Sequence, residues 1–187
     1  RKKDTLLFDT PPVVAAWAAA GGKKESEGPL ASAFDFVTQD AGFGEQGCEN
    51  WEQAESILQR KAAELCSRKA DIPRTKVDIA FAGDLQAQCT ASNYTMRELG
   101  VPFAGVYGAC STMAETLGLA AAFAASGMAE RAMALTSSHF CAAERQFRTP
   151  LEYGAKRTPT AQWTATAAGA CLVRAHGGQG VPVLSVT

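Results

Sequence analysis

Short apolar runs alternate with longer amphipathic segments along most of the chain. The mostly apolar runs at 13–20, 77–82, 103–107 and 132–138 are bounded by Gly, Pro or polar residues and predict buried strands. Residues 51–68, 90–99 and 111–126 predict helices between them. Strands separated by helices of this length predict a largely parallel α/β sheet with helices on its faces. Residues 164–173 and 181–186 predict a closing hairpin around a Gly-rich turn at His176.

The helix that begins at Trp51 has the clearest boundary signals. Asn50 can cap its first turn, and Gln53, three residues later, can complete a capping box. Its apolar residues recur at helical spacing and define one face: Trp51, Ala54, Leu58, Ala62 and Leu65. Four charged residues are expected to face water: Glu55, Arg60, Lys61 and Arg68. The pattern therefore predicts a helix packed on the sheet along one side.

Composition narrows the class of protein. The chain has 187 residues, and its 18 basic and 19 acidic side chains leave a net charge of −1, which argues against nucleic-acid binding. The 47% hydrophobic and 20% charged content is that of one globular unit. The longest uncharged apolar stretch, 116–129, falls short of the roughly 20 residues that a membrane-spanning helix needs. Asp4, Asp9 and the Pro11-Pro12 pair interrupt the N-terminal segment that resembles a secretory signal, so we predict no signal peptide.

The six cysteines predict free thiols rather than a metal centre. None forms a C-x-x-C pair, and neither His139 nor His176 stands at zinc-ligand spacing from them. The segments around Cys66 and Cys171 are typical of a core helix and a core strand, so we expect buried thiols in a reducing compartment. Two polar, Gly-containing stretches, about 21–49 and 140–162, are expected to be loop excursions from one unit that comprises residues 1–187.

Candidate chemistry centres on a cysteine at a strand-to-helix corner. The run FAGVYGACSTM, residues 103–113, predicts a strand, a tight turn, Cys110 and then a helix. Unpaired backbone N–H groups and the helix dipole at such a corner favour a thiolate nucleophile. The same N–H groups can instead hold a ligand carboxylate, and a crowded turn can also select a small residue for packing alone.

Three other residues are candidates for the same cleft. Asp84 follows the strand at 77–82, at a carboxyl end where α/β sheets place ligands, and either contacts a ligand near Cys110 or caps the turn at 85–88. Gln88 shares that loop. His139 follows the strand at 132–138 and either faces the cleft or is a satisfied or exposed histidine without a function.

The nucleophile turn also carries a family resemblance. The run GACSTMAE, residues 108–115, resembles the nucleophile segment of the thiolase and ketoacyl-synthase superfamily. Further short sequence motifs, in the same order along the chain, resemble the stage V sporulation protein AD family, which is a thiolase-like family of endospore-forming bacteria. These motifs are KKE at 23–25, GPL at 28–30, FAGDL at 81–85, GVPF at 100–103, SSH at 137–139, AERQFR at 143–148 and EYG at 152–154. The resemblance extends from about residue 11 to 173.

The resemblance implies a binding protein and a particular fold. Members of this family bind dipicolinic acid, free or as its calcium chelate, and take part in its uptake into the developing spore. They act at the inner spore membrane beside the integral membrane proteins of the same operon. Their thiolase-like fold has two similar halves, each a five-stranded mixed sheet with helices on both faces, and this chain is expected to supply the first half without the second. A homodimer is expected, through pairing of the 132–138 strand with its copy.

Two other functions stay open at this point. The first is acyl transfer with Cys110 as the nucleophile, although the histidine or asparagine partners in that superfamily come from the second half. The second is a scaffold that docks membrane partners through its surface. No cofactor is expected, and calcium is expected only as part of the bound ligand. The candidate ligand-binding residues are Cys110, Asp84, Gln88 and His139.

Overall fold

A computed structural model describes most of the chain. It covers residues 7–39, 47–85, 89–147, 163–177, 182 and 184, with residues 144–147 described by their backbone alone. The strands are β1 (Val13–Gly21), β2 (Phe36–Val37), β3 (Ile79–Asp84), β4 (Phe103–Gly105), β5 (Arg131–Ser138) and β6 (Ala167–Arg174). The helices are α1 (Lys23–Ser26), α2 (Trp51–Lys69), α3 (Thr90–Leu99), α4 (Thr112–Ala125) and α5 (Phe140–Phe147). The stretch at 21–49 thus contains α1 and β2, and the stretch at 140–162 begins with α5.

One sheet organises all of these elements. Its strand order is β2-β1-β6-β5-β3-β4, so the five principal strands are extended by the two-residue β2. β6 is antiparallel to both of its neighbours, whereas β3, β4 and β5 run parallel to one another. Because β6 is antiparallel to both β1 and β5, those two strands share a direction, and β1 is parallel to β2. Five of the six strands therefore run in one direction, so the sheet is largely parallel as predicted, and the reversed β6 makes it the mixed sheet that the family resemblance implied.

Helices cover both faces of the sheet. Each face of the sheet carries its own hydrophobic core. Alternate residues of β3 point into different cores: Ala80 and Ala82 lie in the first, under α2 and α3, and Phe81 lies in the second, under α4. Small side chains dominate the strands, which lets the helices approach the sheet closely. α4 buries Ala120, Ala121 and Ala124 against this sheet and leaves Ala114, Glu115 and Ala122 exposed on its opposite side. Within the described part of this chain, therefore, only one side of α4 is covered.

Helix α2 begins as the capping residues predict. The Asn50 side chain accepts a hydrogen bond from the Gln53 backbone N–H (2.9 Å), and the Gln53 side chain accepts one from the Glu49 N–H (2.8 Å). Cys66 is buried in the middle of the first core as a free thiol, and burial raises its pKa to about 12. Every helix in the described part of the chain is too short or too polar to cross a bilayer.

Two predicted strand pairings are wrong for the same reason. β1 and β5 occupy both edges of β6, so no edge is left for a hairpin partner. Instead, the carbonyl of Pro182 accepts from the N–H of Val14, and the N–H of Leu184 donates to the carbonyl of Pro12. β5 is likewise flanked by β3 and β6, so it cannot pair with its copy in a homodimer. The outer edge of this side of the sheet belongs to β4.

Candidate functional site

Cys110 lies in a short turn that connects β4 to α4. Residues Ala109–Ser111 form a 3₁₀ turn directly before the first residue of α4. The Thr112 hydroxyl ties this turn together, because it accepts from the Gly108 N–H (3.1 Å) and donates to the Ala109 carbonyl (2.9 Å). Cys110 itself is exposed. The structure therefore presents this thiol to solvent at the N-terminal end of α4, as the sequence predicts.

The turn is tightly constrained from behind. Ala109 has a φ of 48°, a left-handed conformation that is uncommon for a residue with a Cβ. Gly83 of β3 packs directly against the two ends of this turn, since a Cβ at position 83 would lie 2.3 Å from the Val106 carbonyl oxygen and 2.5 Å from Thr112 Cγ2. The Cys89 thiol donates to the same Val106 carbonyl (3.3 Å). Only glycine at position 83 allows this approach between strand and turn.

Asp84 is placed differently from the turn-capping interpretation. Its side chain is fully buried, and Oδ2 accepts from both the backbone N–H and the hydroxyl of Ser92, each at 2.9 Å. Ser92 lies in the first turn of α3, so Asp84 caps that helix from the end of a neighbouring strand. It is adjacent to Gly83 and therefore close to the Cys110 turn, but it does not reach solvent. Gln88 lies outside the described residues.

His139 is buried away from the Cys110 turn. Its ring stacks on Trp51, with centroids 6.4 Å apart, and Nδ1 accepts from the backbone N–H of Cys141 at 3.2 Å. The histidine lines a cavity of about 530 Å³ between α2 and residues 163–166, and neither Cys110 nor Asp84 is among the lining residues. Hence the structure brings Asp84 near the Cys110 turn and places His139 in a separate cavity.

A buried polar network lies beneath the site, and the sequence patterns do not predict it. Its members come from α2, α3, β3 and β5: Glu55, Gln59, Asp84, Ser92 and Ser137. The Ser137 hydroxyl donates to Glu55 Oε1 at 2.8 Å. Gln59 Nε2 lies within hydrogen-bonding distance of the Gly83 carbonyl and of the Ser92 and Ser137 hydroxyls, at 3.0–3.3 Å. The network therefore joins the ends of β3 and β5 to the start of α3.

Glu55 is the largest departure from the sequence prediction at this site. The prediction that it faces water is wrong, because only 1% of the residue is exposed. Burial, and to a smaller extent the nearby Asp84 carboxylate, raise the pKa of Glu55 to about 8. Hydrogen bonds from Ser137 and from the backbone N–H of His139 oppose this shift. Among the described residues, no group of three or more His, Cys, Asp or Glu side chains could hold a metal ion.

Comparison with known proteins decides the family. The sequence profile described as stage V sporulation protein AD matches residues 2–187. The chain belongs to the stage V sporulation protein AD family. It is 40% identical over 173 residues to stage V sporulation protein AD of Bacillus subtilis (strain 168), covering 91% of this chain and 50% of that protein. The chain thus spans about half the length of the curated relative it matches.

Solved structures show the fold of this family member. 3-oxoacyl-[acyl-carrier-protein] synthase III of Aquifex aeolicus VF5 matches with a TM-score of 0.60 and 15% identity, over 87% of this chain and 53% of that chain. The corresponding synthase of Pseudomonas aeruginosa PAO1 matches with a TM-score of 0.57 and 16% identity, over 93% of this chain and 55% of that chain. A single-substitution variant of OleA from Xanthomonas campestris matches with a TM-score of 0.57 and 13% identity, over 90% of this chain and 59% of that chain. The fold is thiolase-like, and this chain covers part of it.

The family also gives a coarse statement of function. A member of the stage V sporulation protein AD family has a role in sporulation and a location in the spore.

Proposed function

We propose that this protein binds dipicolinic acid, free or as its calcium chelate, for uptake into the developing endospore, without catalysing a reaction. The supporting observation is the exposed Cys110 turn at the N-terminal end of α4, where backbone N–H groups can hold a ligand carboxylate. Membership of the stage V sporulation protein AD family supports the same function.

The geometry of the turn suits an aromatic carboxylate. The first backbone N–H groups of a helix carry partial positive charge and can hold a carboxylate. Cys110 lies at this end of α4 and adds a small, polarisable surface against which a planar ring can pack. In the calcium chelate the metal would come with the ligand, so the protein would not need its own calcium-binding residues.

Acyl transfer by Cys110 is the second candidate function. The observation in its favour is the constrained turn itself, because the left-handed φ of Ala109 is the kind of strain that persists at reactive sites. This activity needs a base and an oxyanion hole beside the thiol. We propose binding instead, because the profile of a sporulation-protein family matches residues 2–187.

Calorimetric titration of the full-length protein tests the proposed binding function. We expect saturable binding of dipicolinate, alone or with equimolar calcium, and at least a hundredfold loss of affinity in Cys110→Trp because the indole fills the ligand's place. Met128→Trp is the matched control: Met128 is 68% exposed just beyond the far end of α4, so the same ring there should leave affinity unchanged.

Two results would contradict this function. One is no heat with a folded wild-type protein at any calcium concentration. The other is a stable acyl adduct on Cys110, detected by mass spectrometry after incubation with acyl-CoA donors, which would favour the transferase. Equal binding by Cys110→Trp and Met128→Trp would move the ligand away from the turn.

We further propose that the protein is a homodimer that acts at the inner spore membrane, beside the integral membrane proteins of its operon. The dimer contact is assigned to β4, which has the outer edge of the sheet. The Val106 N–H bonds to the Ala82 carbonyl of β3, so the preceding N–H, that of Gly105, points toward the open edge. Pairing of two such edges would remove an unpaired row of backbone groups.

Sedimentation of full-length variants tests this contact. Gly105→Pro removes the outward N–H and should shift a micromolar dimer to monomer. Gly105→Ala keeps this N–H, and its Cβ would meet only ordinary contacts, 3.4 Å from Phe103 Cε2 and 3.7 Å from Cys89 Sγ, so it should remain dimeric. A monomeric wild-type protein, or a dimeric proline variant, would contradict the assignment.

A further inference from the structure

Two acidic side chains are buried together beneath the Cys110 turn. Glu55 is 1% exposed and Asp84 is fully buried, and they reach the same network from α2 and from β3. The two differ in their hydrogen-bond donors. Asp84 Oδ2 accepts two bonds from the first turn of α3, where the helix dipole favours a negative charge. Asp84 is therefore the residue of the pair that holds the charge.

Glu55 lies in surroundings that favour its neutral form. Glu55 accepts from the Ser137 hydroxyl and from the His139 backbone N–H, and no lysine or arginine of the described residues is among the groups that act on it. Bringing a second carboxylate charge into this interior, beside Asp84, would be costly.

A buried oxygen in the network also lacks a donor. Gln59 Oε1 has no hydrogen-bond partner among the described residues, although Gln59 is fully buried. The amide cannot simply be reversed, because Nε2 donates to the Gly83 carbonyl, which only accepts. Glu55 lies one helical turn before Gln59, on the same face of α2. A protonated Glu55 carboxyl supplies the kind of donor that this oxygen lacks.

We propose that Glu55 and Asp84 share a single negative charge, and that loss of the remaining proton, from Glu55, weakens binding of an anionic ligand at the Cys110 turn. Glu55 thus acts as a positioning residue that makes binding depend on pH. This inference rests on the proposed function, because it concerns the ligand that is proposed for that turn.

Within the described part of the chain, no cation lies opposite this charge. The charged groups that act on Glu55 are the carboxylates of Asp84 and of Glu52 on α2 itself, and His139 acts on it through its backbone N–H. α3 faces the network with the hydroxyls of Ser92 and Thr95, and its charged Glu98 pairs with Arg60 instead. β1 and β6 meet α2 around the Cys66 thiol and apolar side chains such as Ala16 and Leu172, and the described side chains of α5 carry no charge. Among the described residues, the charges that act on Glu55 are therefore negative.

The network is connected to the turn through Gly83. Gln59 bonds to the Gly83 carbonyl, and Gly83 packs against Val106 and Thr112 of the turn. An added negative charge at Glu55 would repel a dicarboxylate directly and would strain the bonds that fix the end of β3. Both effects lower affinity as Glu55 ionises.

The test is a calorimetric titration with free dipicolinate, using full-length wild type and Glu55→Gln, from about pH 6.5 to about pH 9.5. Both ligand carboxyls stay ionised throughout, so the ligand's charge is constant. Wild-type affinity should fall about tenfold across this range. Glu55→Gln keeps a neutral, hydrogen-bonding side chain and should show nearly constant affinity.

Ser137→Ala is a second variant, which should shift the pH dependence of the affinity where Glu55→Gln removes it. It removes a hydrogen bond that stabilises ionised Glu55, so the midpoint of the affinity change should move to higher pH instead of disappearing. The inference is overturned if wild type and Glu55→Gln lose affinity in parallel, or if Ser137→Ala leaves the midpoint unchanged. Should Glu55→Gln fail to fold, the Ser137→Ala midpoint alone decides. Absence of binding by wild type at every pH would instead overturn the proposed function.

Discussion

Replacing Gly83 with alanine should destabilise the protein by about 3 kcal/mol and displace the Cys110 turn. A Cβ at this position would lie 2.3 Å from the Val106 carbonyl oxygen and 2.5 Å from Thr112 Cγ2. The first contact is with backbone, so no side-chain rotation relieves it, and either β3 or the turn must move. Chemical denaturation of the full-length protein measures the loss of stability. Dipicolinate affinity should fall in the same variant because the turn shifts.

Gly169→Ala is the matched control for this substitution. Gly169 also lies within a strand, β6, but a Cβ there would meet no atom within 4 Å. Alanine at 169 should therefore leave the free energy of unfolding unchanged or raise it by up to about 1 kcal/mol, since it restricts the unfolded chain. Equal effects of the two substitutions would show that the approach between β3 and the turn does not constrain the site.

Local signals in the sequence predict the elements well. α2 begins at the capping residue Asn50, and α3 ends at Gly100, which has the left-handed φ of 65° that glycine favours there. These features depend on a few neighbouring residues, so the chain itself specifies them. The direction of β6 depends instead on which strand edges are available after a long connection from β5. Periodicity carries no information on that choice, so the predicted hairpin is wrong.

The residues of the candidate site show the same difference between features set by neighbouring residues and features set by long-range packing. Cys110 is predictable because a strand, a turn and a helix follow each other within residues 103–113. Glu55 is not, because the apolar stripe of α2 by itself indicates a single narrow face. In the structure, α2 contacts the sheet and also α3, which buries a wider face that includes Glu55, Ser56 and Gln59. The signal available in the sequence is the one-turn spacing between Glu55 and Gln59, which is also common on exposed helices.

Glu55 should make the stability of the full-length protein decrease as pH rises through the neutral range. The pKa of its carboxyl is raised from 4.5 to about 8 by folding, chiefly through burial. Between these values the folded state keeps a proton that the unfolded state has released, so the free energy of unfolding falls by about 1.4 kcal/mol per pH unit. The total contribution is on the order of 5 kcal/mol, fully present below about pH 4.5 and lost by about pH 8. Denaturant unfolding at successive pH values measures it.

Glu55→Gln should remove this part of the pH dependence, because a glutamine at this position does not titrate. Carboxyls whose pKa is lowered by folding, such as Asp35 beside Lys69, give the opposite slope at lower pH and are present in both proteins. The difference between the two proteins therefore isolates Glu55. Stability curves that stay parallel from about pH 5 to about pH 8 would show that Glu55 is already ionised in the folded protein. In that case Asp84 and Glu55 would both be charged, and their burial would require a compensating cation from the rest of the protein.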